Sequence, residues 1–436
     1  MTELDAGAPR RPIDRLGRLG RVALLAPLSG RDYRFVWIGE SVSLLGDQFN
    51  TVAVAWLVLG LTGSGFALGV ILIAAAIPRG AFLLVGGVLS DRIAPRDLAL
   101  VSNVLRAVLT TIVAGLVIGE RVELWHLAAV GVVFGTVDAV FLPAINTLVP
   151  RLVPVERLAA ANAVMAGTAQ LVGTVGPALA GFAIALVGVG AAFAVDAASF
   201  AVAAVMLGFV RTSGRAPSLE ETRDVDVRDT DGKVGTPSIR SSLLEGGRII
   251  LGDPVMRSIV VLSTAANLAF TGAVVVGLPW LVLVRFGGDA LALGLLFAAY
   301  GAGSLVGVVA AGSFPRPRRF GSIVLASVIV AGVGLGAIGL APSPAAVALI
   351  LTGIGALNGW VNVVIVAWVQ GRTEPEILGR TMSFLMLGSV VAAPLSLAIA
   401  AVIVDRHASA LFLAAGLLVV ASGAVALANG LHRRMV

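Results

Sequence analysis

Cysteine is missing altogether from the 436 residues, and lysine and histidine are nearly so. Without cysteine there is no disulfide framework, no thiolate nucleophile and no thiolate metal ligand. The three histidines, His126, His407 and His432, fall in expected loops or at the end of the chain. No histidine cluster therefore supports a metal centre or an acid–base dyad. Lys233 is the single lysine; the other basic residues are arginine, which together with abundant alanine, valine and glycine points to GC-rich coding and a bacterial source. Charge is scarce as well. Only 13% of residues are charged, 58% are hydrophobic and the mean hydropathy is +0.99, whereas soluble domains are about a quarter charged. A water-soluble globule has no way to hide that much apolar surface. The net charge of +6 does not indicate nucleic acid, because the basic residues are scattered through short segments between apolar runs.

What the chain does have is long hydrophobic runs. A helix crossing the hydrocarbon needs about 20 apolar residues, and twelve runs of that size are expected, at 35–60, 66–89, 98–118, 125–148, 159–187, 190–210, 258–284, 290–314, 321–341, 345–369, 381–404 and 408–431. The fifth is long enough to include an interfacial turn. The fold class expected is an all-α polytopic membrane protein with twelve helices in two six-helix bundles, 35–210 and 258–431. A basic tail, 1–34, precedes them and a short tail, 432–436, follows. A polar linker, 211–257, divides the two bundles, and its stretch from Ser241 to Arg257 is amphipathic enough for a short helix on the membrane surface. Arg121, Arg285 and Arg406 fall in loops on one side, Arg79 and Arg106 fall within spans, and all the other basic residues fall on the opposite side. The positive-inside rule then places both termini in the cytosol. The tail to Arg34 reads as cytosolic and not as a cleaved signal. Trp37, Trp56, Trp125, Trp280 and Trp368 lie toward helix ends, as an interfacial belt requires, with Trp360 as the exception.

The most specific local pattern is Gly87-Val-Leu-Ser-Asp91-Arg92-Ile-Ala-Pro-Arg96, at the exit of the second run. It resembles the loop signature of the major facilitator superfamily between helices 2 and 3, with Ala94 and Pro95 standing where that signature has a glycine and a further basic residue. Gly87 would permit close helix approach. Asp91 would face the positive N-terminal end of helix 11, near Gly379 and Arg380, and with Arg92 and Arg96 would form a conformational latch. The matching loop after helix 8, with Arg316, Arg318 and Arg319, lacks an aspartate. Arg34-Phe-Val-Trp37, Leu45-Gly46-Asp47, Pro78-Arg79, Ala161-Asn162-Ala163, Phe193-Ala-Val-Asp196 and Leu378-Gly379-Arg380 are similar to the branch containing macrolide and enterobactin exporters. Asn103 stands where that branch commonly has an aspartate, three residues before Arg106. In the fifth run, Gly173, Gly176, Pro177 and Gly181 are similar to the Gly-Pro motif of antiporters in this superfamily. Small residues also serve ordinary helix packing, and packing is the expected role of Gly301, Gly303 and Gly307, which only superficially match a phosphate loop.

Charges within membrane spans cost roughly 2.5–3.5 kcal/mol each on insertion scales, so each one needs a partner or a function. Here they are Glu40, Asp47, Arg79, Arg106, Asp138 and Asp196, all in the first half. Glu40 and Asp47 lie seven residues apart, within about 20° of one helical face, with Asn50 one turn beyond. Burial favours a neutral carboxyl and a nearby arginine favours a charged one, so a carboxyl held between the two influences can bind and release a proton. Asp47, Asp138, Arg106, Glu40 and Asn50 are the candidates for substrate contact or proton coupling. A permanent acid–arginine brace is the alternative, Arg79 is expected to be structural, and Asp196 is expected to hydrogen-bond between helices. The second half offers only amides such as Asn267, Asn358 and Asn362 inside its spans, a lining suited to a bulky amphipathic or cationic solute.

The resemblance implies a secondary active transporter working by alternating access, with proton-coupled efflux of a drug, siderophore or related amphipathic metabolite. It implies no cofactor, no metal and no catalytic residue, with protons, a small-molecule substrate and the lipid bilayer as partners of a monomer in the bacterial inner membrane. A lipid or lysolipid flippase of the same fold is the main alternative. A membrane-embedded enzyme and a transport-dead sensor are the others.

Overall fold

The computed structural model describes residues 24–211, 252–314, 320–373 and 375–434, which are almost entirely helical and contain no strand. The first half comprises α1 (Arg31–Thr62), α2 (Gly65–Arg92), α3 (Pro95–Ile118), α4 (Leu124–Leu152), α5 (Leu158–Val187) and α6 (Val189–Phe209). The second comprises α7 (Pro254–Arg285), α8 (Ala290–Ser313), α9 (Phe320–Ile338) and α10 (Pro344–Arg372), followed by a helical run from Pro375 to Ala428. At about 1.5 Å per residue that last run would reach about 80 Å, far beyond a hydrocarbon core of about 30 Å. It is broken at His407, whose φ of −145° and ψ of 59° are not helical, giving α11 (375–406) and α12 (408–428). Among the described residues eleven helical stretches are long and apolar enough to cross a membrane, the last being Val391–Ala428. With the break at His407 the described residues form twelve long helices of a polytopic membrane protein.

Local chemistry sets the helix ends. Gly63, at φ 65°, terminates α1 in the left-handed region that a side chain would resist. Asp253 caps α7, accepting hydrogen bonds from Val255 and Met256 with Pro254 in the first turn. Asp289 caps α8 through Ala292, and Ser343 caps α10 through Ala346. His126, expected in a loop, sits in the first turn of α4. Its Nδ1 accepts the Glu123 backbone N–H in a capping box. The fifth run holds no interfacial turn: α5 is unbroken from Leu158 to Val187, and the short 3₁₀ segment Val155–Arg157 precedes it. Helix α7 has two π-helical stretches, Ala273–Gly277 and Leu281–Arg285, a form that concentrates at functional sites.

Within the first half α2 packs on α4, α1 on α5 and α6, and α3 on α4 and α6; within the second α8 packs on α10, α7 on α11, and α9 on α10 and α12. The α8–α10 seam is built on glycine. A Cβ on Gly303 or Gly307 would meet the Thr352 or Ala356 carbonyl, and one on Gly355 or Gly359 would meet the Tyr300 or Ser304 carbonyl. Backbones at this distance gain dispersion contacts that lipid cannot supply. The two halves meet where α2 lies against α11 and α5 against α8. The linker 212–251, with most of its amphipathic stretch, lies outside the described residues, as does the tail before residue 24.

Candidate functional site

A cavity of about 650 Å³ lies among α1, α2, α3 and α4 of the first half and reaches α7, α8 and α11 of the second, a size within the range usual for small-molecule sites. Its wall is chiefly apolar, with Phe134, Phe193 and Phe297 among the larger side chains, and its polar groups come from Asn50, Thr51, Thr110, Arg79 and Asp138. All five belong to the first half, as the distribution of charge along the sequence suggested. Val275, Phe297 and Leu397 bring α7, α8 and α11 to the wall without a charge.

Asp138 on α4 is the electrostatic centre of this wall. One of its carboxyl oxygens accepts from Arg106 Nη2 on α3, and the other pairs with Arg79 Nε on α2 at 3.0 Å. The two guanidiniums have opposite surroundings. The Arg106 side chain is 2% exposed and the Arg79 side chain 57%. Arg106 is also ringed by Phe141, Phe200 and Phe134, with centroids at 3.9, 5.4 and 5.7 Å, so its desolvated charge is offset by aromatic faces as well as by the carboxyl. Its Nε has no partner among the described residues. Arg79 spends only Nε on Asp138, and its two Nη groups have no protein partner among the described residues, leaving four N–H donors at the cavity wall.

A second polar contact runs from the wall to the helix behind it. Asn50 donates its amide N–H to Asp196 Oδ2 at 2.7 Å, linking α1 to α6. Asp196 is wholly buried, with the Thr110 hydroxyl of α3 within reach of its carboxyl, and its Oδ1 makes no well-aligned hydrogen bond among the described residues. Beside it, α1 comes so close that a Cβ on Gly46 would meet both Ser199 Oγ and Asp196 Oδ1. Asp196 therefore makes the interhelical hydrogen bond expected of it. Asn103, buried in α3, donates to the Ala99 carbonyl of its own helix, and Arg106 finds its acid on α4 instead.

Asp47 and Glu40 are half-buried, and neither side chain is hydrogen-bonded or ion-paired among the described residues. On α1 the cavity-lining residues Thr51 and Val54 follow Asp47 at four and seven positions, so Asp47 shares their helical stripe and Glu40 continues it two turns earlier. The sequence-derived group is thus divided. Arg106 and Asp138 form a bonded pair, Asn50 is engaged with Asp196, and Asp47 and Glu40 stand along the same stripe without a bonded partner.

The Gly-Pro residues of α5 lie at helix contacts. Gly176 receives the Gln48 side chain of α1, and Gly181 faces the Ala290 carbonyl at the start of α8. The Pro177 carbonyl faces Gly294, and the Gly173 carbonyl faces Gly301 on α8, both across the two halves. Gly301 is thus a packing residue, as expected. Arg96 departs from the latch expectation in this structure. Its Nε and Nη2 donate to the Leu207 and Gly208 carbonyls at the end of α6, at 3.1 and 2.9 Å, and its Nη1 to Asp97. That ties α3 to α6 inside one half. The side chains of Asp91, Arg92 and Arg380, and the surroundings of Gly379, lie outside the described residues; Gly87 lies on α2, one turn before Asp91, but the close helix approach expected of it is made by its neighbour Gly86, where a Cβ would meet the Ala139 carbonyl of α4.

The model of the Major Facilitator Superfamily matches residues 36–387, most of the chain and helices from both halves. The chain belongs to the Major Facilitator Superfamily. Members of this superfamily are transporters, so the chain is a multi-pass membrane protein of a transporter family. Relatives share modest identity. The uncharacterized MFS-type transporter y4rN of Sinorhizobium fredii is 30% identical over 63% of this chain and 64% of its own length, so the chain spans a little under two thirds of that relative. The macrolide efflux protein A of Streptococcus pyogenes is 22% identical over 85% of this chain and 89% of its own. The multidrug efflux pump Tap of Mycolicibacterium fortuitum is 25% identical over 87% and 91%. Among solved structures, the nucleoside transporter NupG superposes with a TM-score of 0.64 at 12% identity, covering 90% of this chain and 98% of that one. That likeness establishes the shared fold and nothing about the solute.

Proposed function

We propose that this chain is a proton-coupled exporter of a drug, siderophore or related amphipathic metabolite, acting by alternating access between the bundles 35–210 and 258–431. The observation that carries the proposal is the α1 stripe on which Glu40 and Asp47 lead, without bonded partners, to the cavity wall formed by Thr51 and Val54. Carboxyls in that position can take a proton from one side and deliver it to the other once the halves rock. The Asp138 brace beside them stays paired with two arginines. The efflux relatives support the direction of transport. The open Nη groups of Arg79 favour a solute with acceptor oxygens at one end and an apolar body against Phe134, Phe193 and Phe297. This revises the expectation of a cationic solute, because the charge most exposed at the wall is positive.

In this proposal both termini face the cytosol of a bacterium and the protein works as a monomer in the inner membrane. A proton entering down 100 mV releases about 2.3 kcal/mol, which sustains roughly a fifty-fold solute gradient if net charge moves. In proteoliposomes, an imposed pH gradient is expected to drive uptake or release of a fluorescent amphiphile, and Asp47→Asn is expected to abolish that response while leaving downhill exchange. Unchanged coupling in the variant removes Asp47 from the mechanism. Translocation of labelled lipid with no gradient imposed replaces export by a flippase activity.

A further inference from the structure

The tight contacts between the halves cluster at the end where α1 turns into α2 and α11 gives way to α12. There α2 begins, and its first N–H groups have no partner within their own helix. Ser64, the N-cap, accepts from Ala67 alone, at 3.3 Å. The other two donors are satisfied from the opposite half. Asp405, one residue before the end of α11, accepts from the Gly65 N–H at 2.6 Å with one oxygen. Its other oxygen accepts from the Phe66 N–H at 3.2 Å and the Ser64 hydroxyl at 2.6 Å. A carboxylate from the second half thus completes the cap of a helix in the first, at the positive end of that helix. The approach leaves no space for larger side chains. A Cβ on Gly65 would meet Val404, and one on Gly69 would meet Ala401.

We propose that Asp405 is a latch that holds this end of the transporter shut, and that it alternates with the Asp91 latch at the other end of the same two helices. The arrangement of α2 and α11 is reciprocal. They run antiparallel across the interface, each carries an aspartate one residue before its last, and each begins at the end where the other has its aspartate. Asp405 closes on the start of α2 in this structure; Asp91 stands in the last turn of α2, at the end where α11 starts. Rocking that opens one end closes the other, so the two caps exchange. The loss of one cap is therefore expected to shift the balance of states without altering the cavity. Asp405 is not among the cavity-lining residues and acts only through helix position. This inference rests on the alternating-access reading above.

The absence of cysteine makes the test direct. Spin labels at Leu61→Cys and Leu340→Cys, exposed positions on opposite halves, report separation at this end in full-length protein in nanodiscs by pulsed dipolar spectroscopy. Wild type is expected to show a short and a long separation, and Asp405→Ala to move their ratio toward the long one by about tenfold, the effect of an ordinary N-cap. Ser64→Gly, which removes one of the three contacts but keeps a permissive N-cap, is expected to move it the same way by less, and Asp91→Asn the opposite way. An unchanged ratio in Asp405→Ala overturns the latch. Should that variant not fold, an unchanged ratio in Ser64→Gly does the same. A single separation in wild type and all variants, with no solute movement, overturns alternating access itself and is distinguishable from failure of the latch alone.

Discussion

Asn50 donates its side-chain N–H to Asp196 Oδ2 at 2.7 Å, while the second oxygen of this wholly buried acid has no hydrogen-bond partner among the described residues. The contact joins α1, which carries the cavity stripe, to α6, which stands behind it. The Thr110 hydroxyl of α3 also lies within reach of this carboxyl.

An amide at position 196 keeps an oxygen for Asn50 and turns an N–H toward the unpartnered position, where Ser199 Oγ lies close by. Asp196→Asn is therefore expected to fold with unchanged or higher thermal stability, by up to about 1 kcal/mol. Asp196→Leu, which strands the Asn50 amide, is expected to lose about 1–3 kcal/mol. Melting in detergent, followed by tryptophan fluorescence, separates the two. A larger loss in the Asn variant would show that the carboxyl depends on the Thr110 hydroxyl as well as on Asn50.

Arg106 and Arg79 share Asp138, yet they should differ sharply on removal. Arg106→Ala leaves a buried acid short of a partner and empties an aromatic pocket, so a loss of about 3–5 kcal/mol is expected. Arg79→Ala breaks an ion pair whose guanidinium is largely exposed, and about 0–1 kcal/mol is expected. Its effect should instead fall on transport, as a raised half-saturation concentration with little change in melting temperature. Equal destabilisation by the two variants would contradict the division into a structural and a solute-facing arginine.

Gly355 and Gly353 lie two residues apart on α10 and should respond to alanine with opposite sign. A Cβ at Gly353 meets nothing within 4 Å, whereas one at Gly355 runs into the Tyr300 carbonyl. Gly353→Ala is expected to stabilise by up to about 1 kcal/mol through helix propensity. Gly355→Ala should force α8 and α10 apart at a cost of about 1–3 kcal/mol. Thermal melting of the two single variants checks the register of the seam.

Much of this architecture could be read before any coordinates. Hydrophobic runs of membrane length, interrupted by Gly63, Pro154, Asp289 or Ser343, announce their helices because lipid offers the backbone no partner outside the helix itself. The loop from Gly87 to Arg96 carried the family resemblance, since its residues lie close together in sequence. The pairings did not yield to the same treatment. Asn103 spoke only against an acid–arginine pair within α3; that the acid is Asp138, 32 residues on, is visible only in the structure. Arg96 read as part of a latch, but the α6 carbonyls that hold it belong to residues more than a hundred positions away. Nothing in the sequence marks Asp405, because an aspartate near a helix end is ordinary until the start of α2 is placed against it.

The amino-acid sequence alone determined that this chain lives in a membrane, how many times it crosses and which half carries the charge. Those properties depend on the transfer of residues between water and hydrocarbon, and that is local to each segment. Only the tertiary structure decided which arginine is buried and which faces the cavity, that Asn50 is committed to Asp196, and that α11 caps α2. Those outcomes depend on how helices rotate and approach one another, and side chains on separate helices have no means of recording that in their order along the chain.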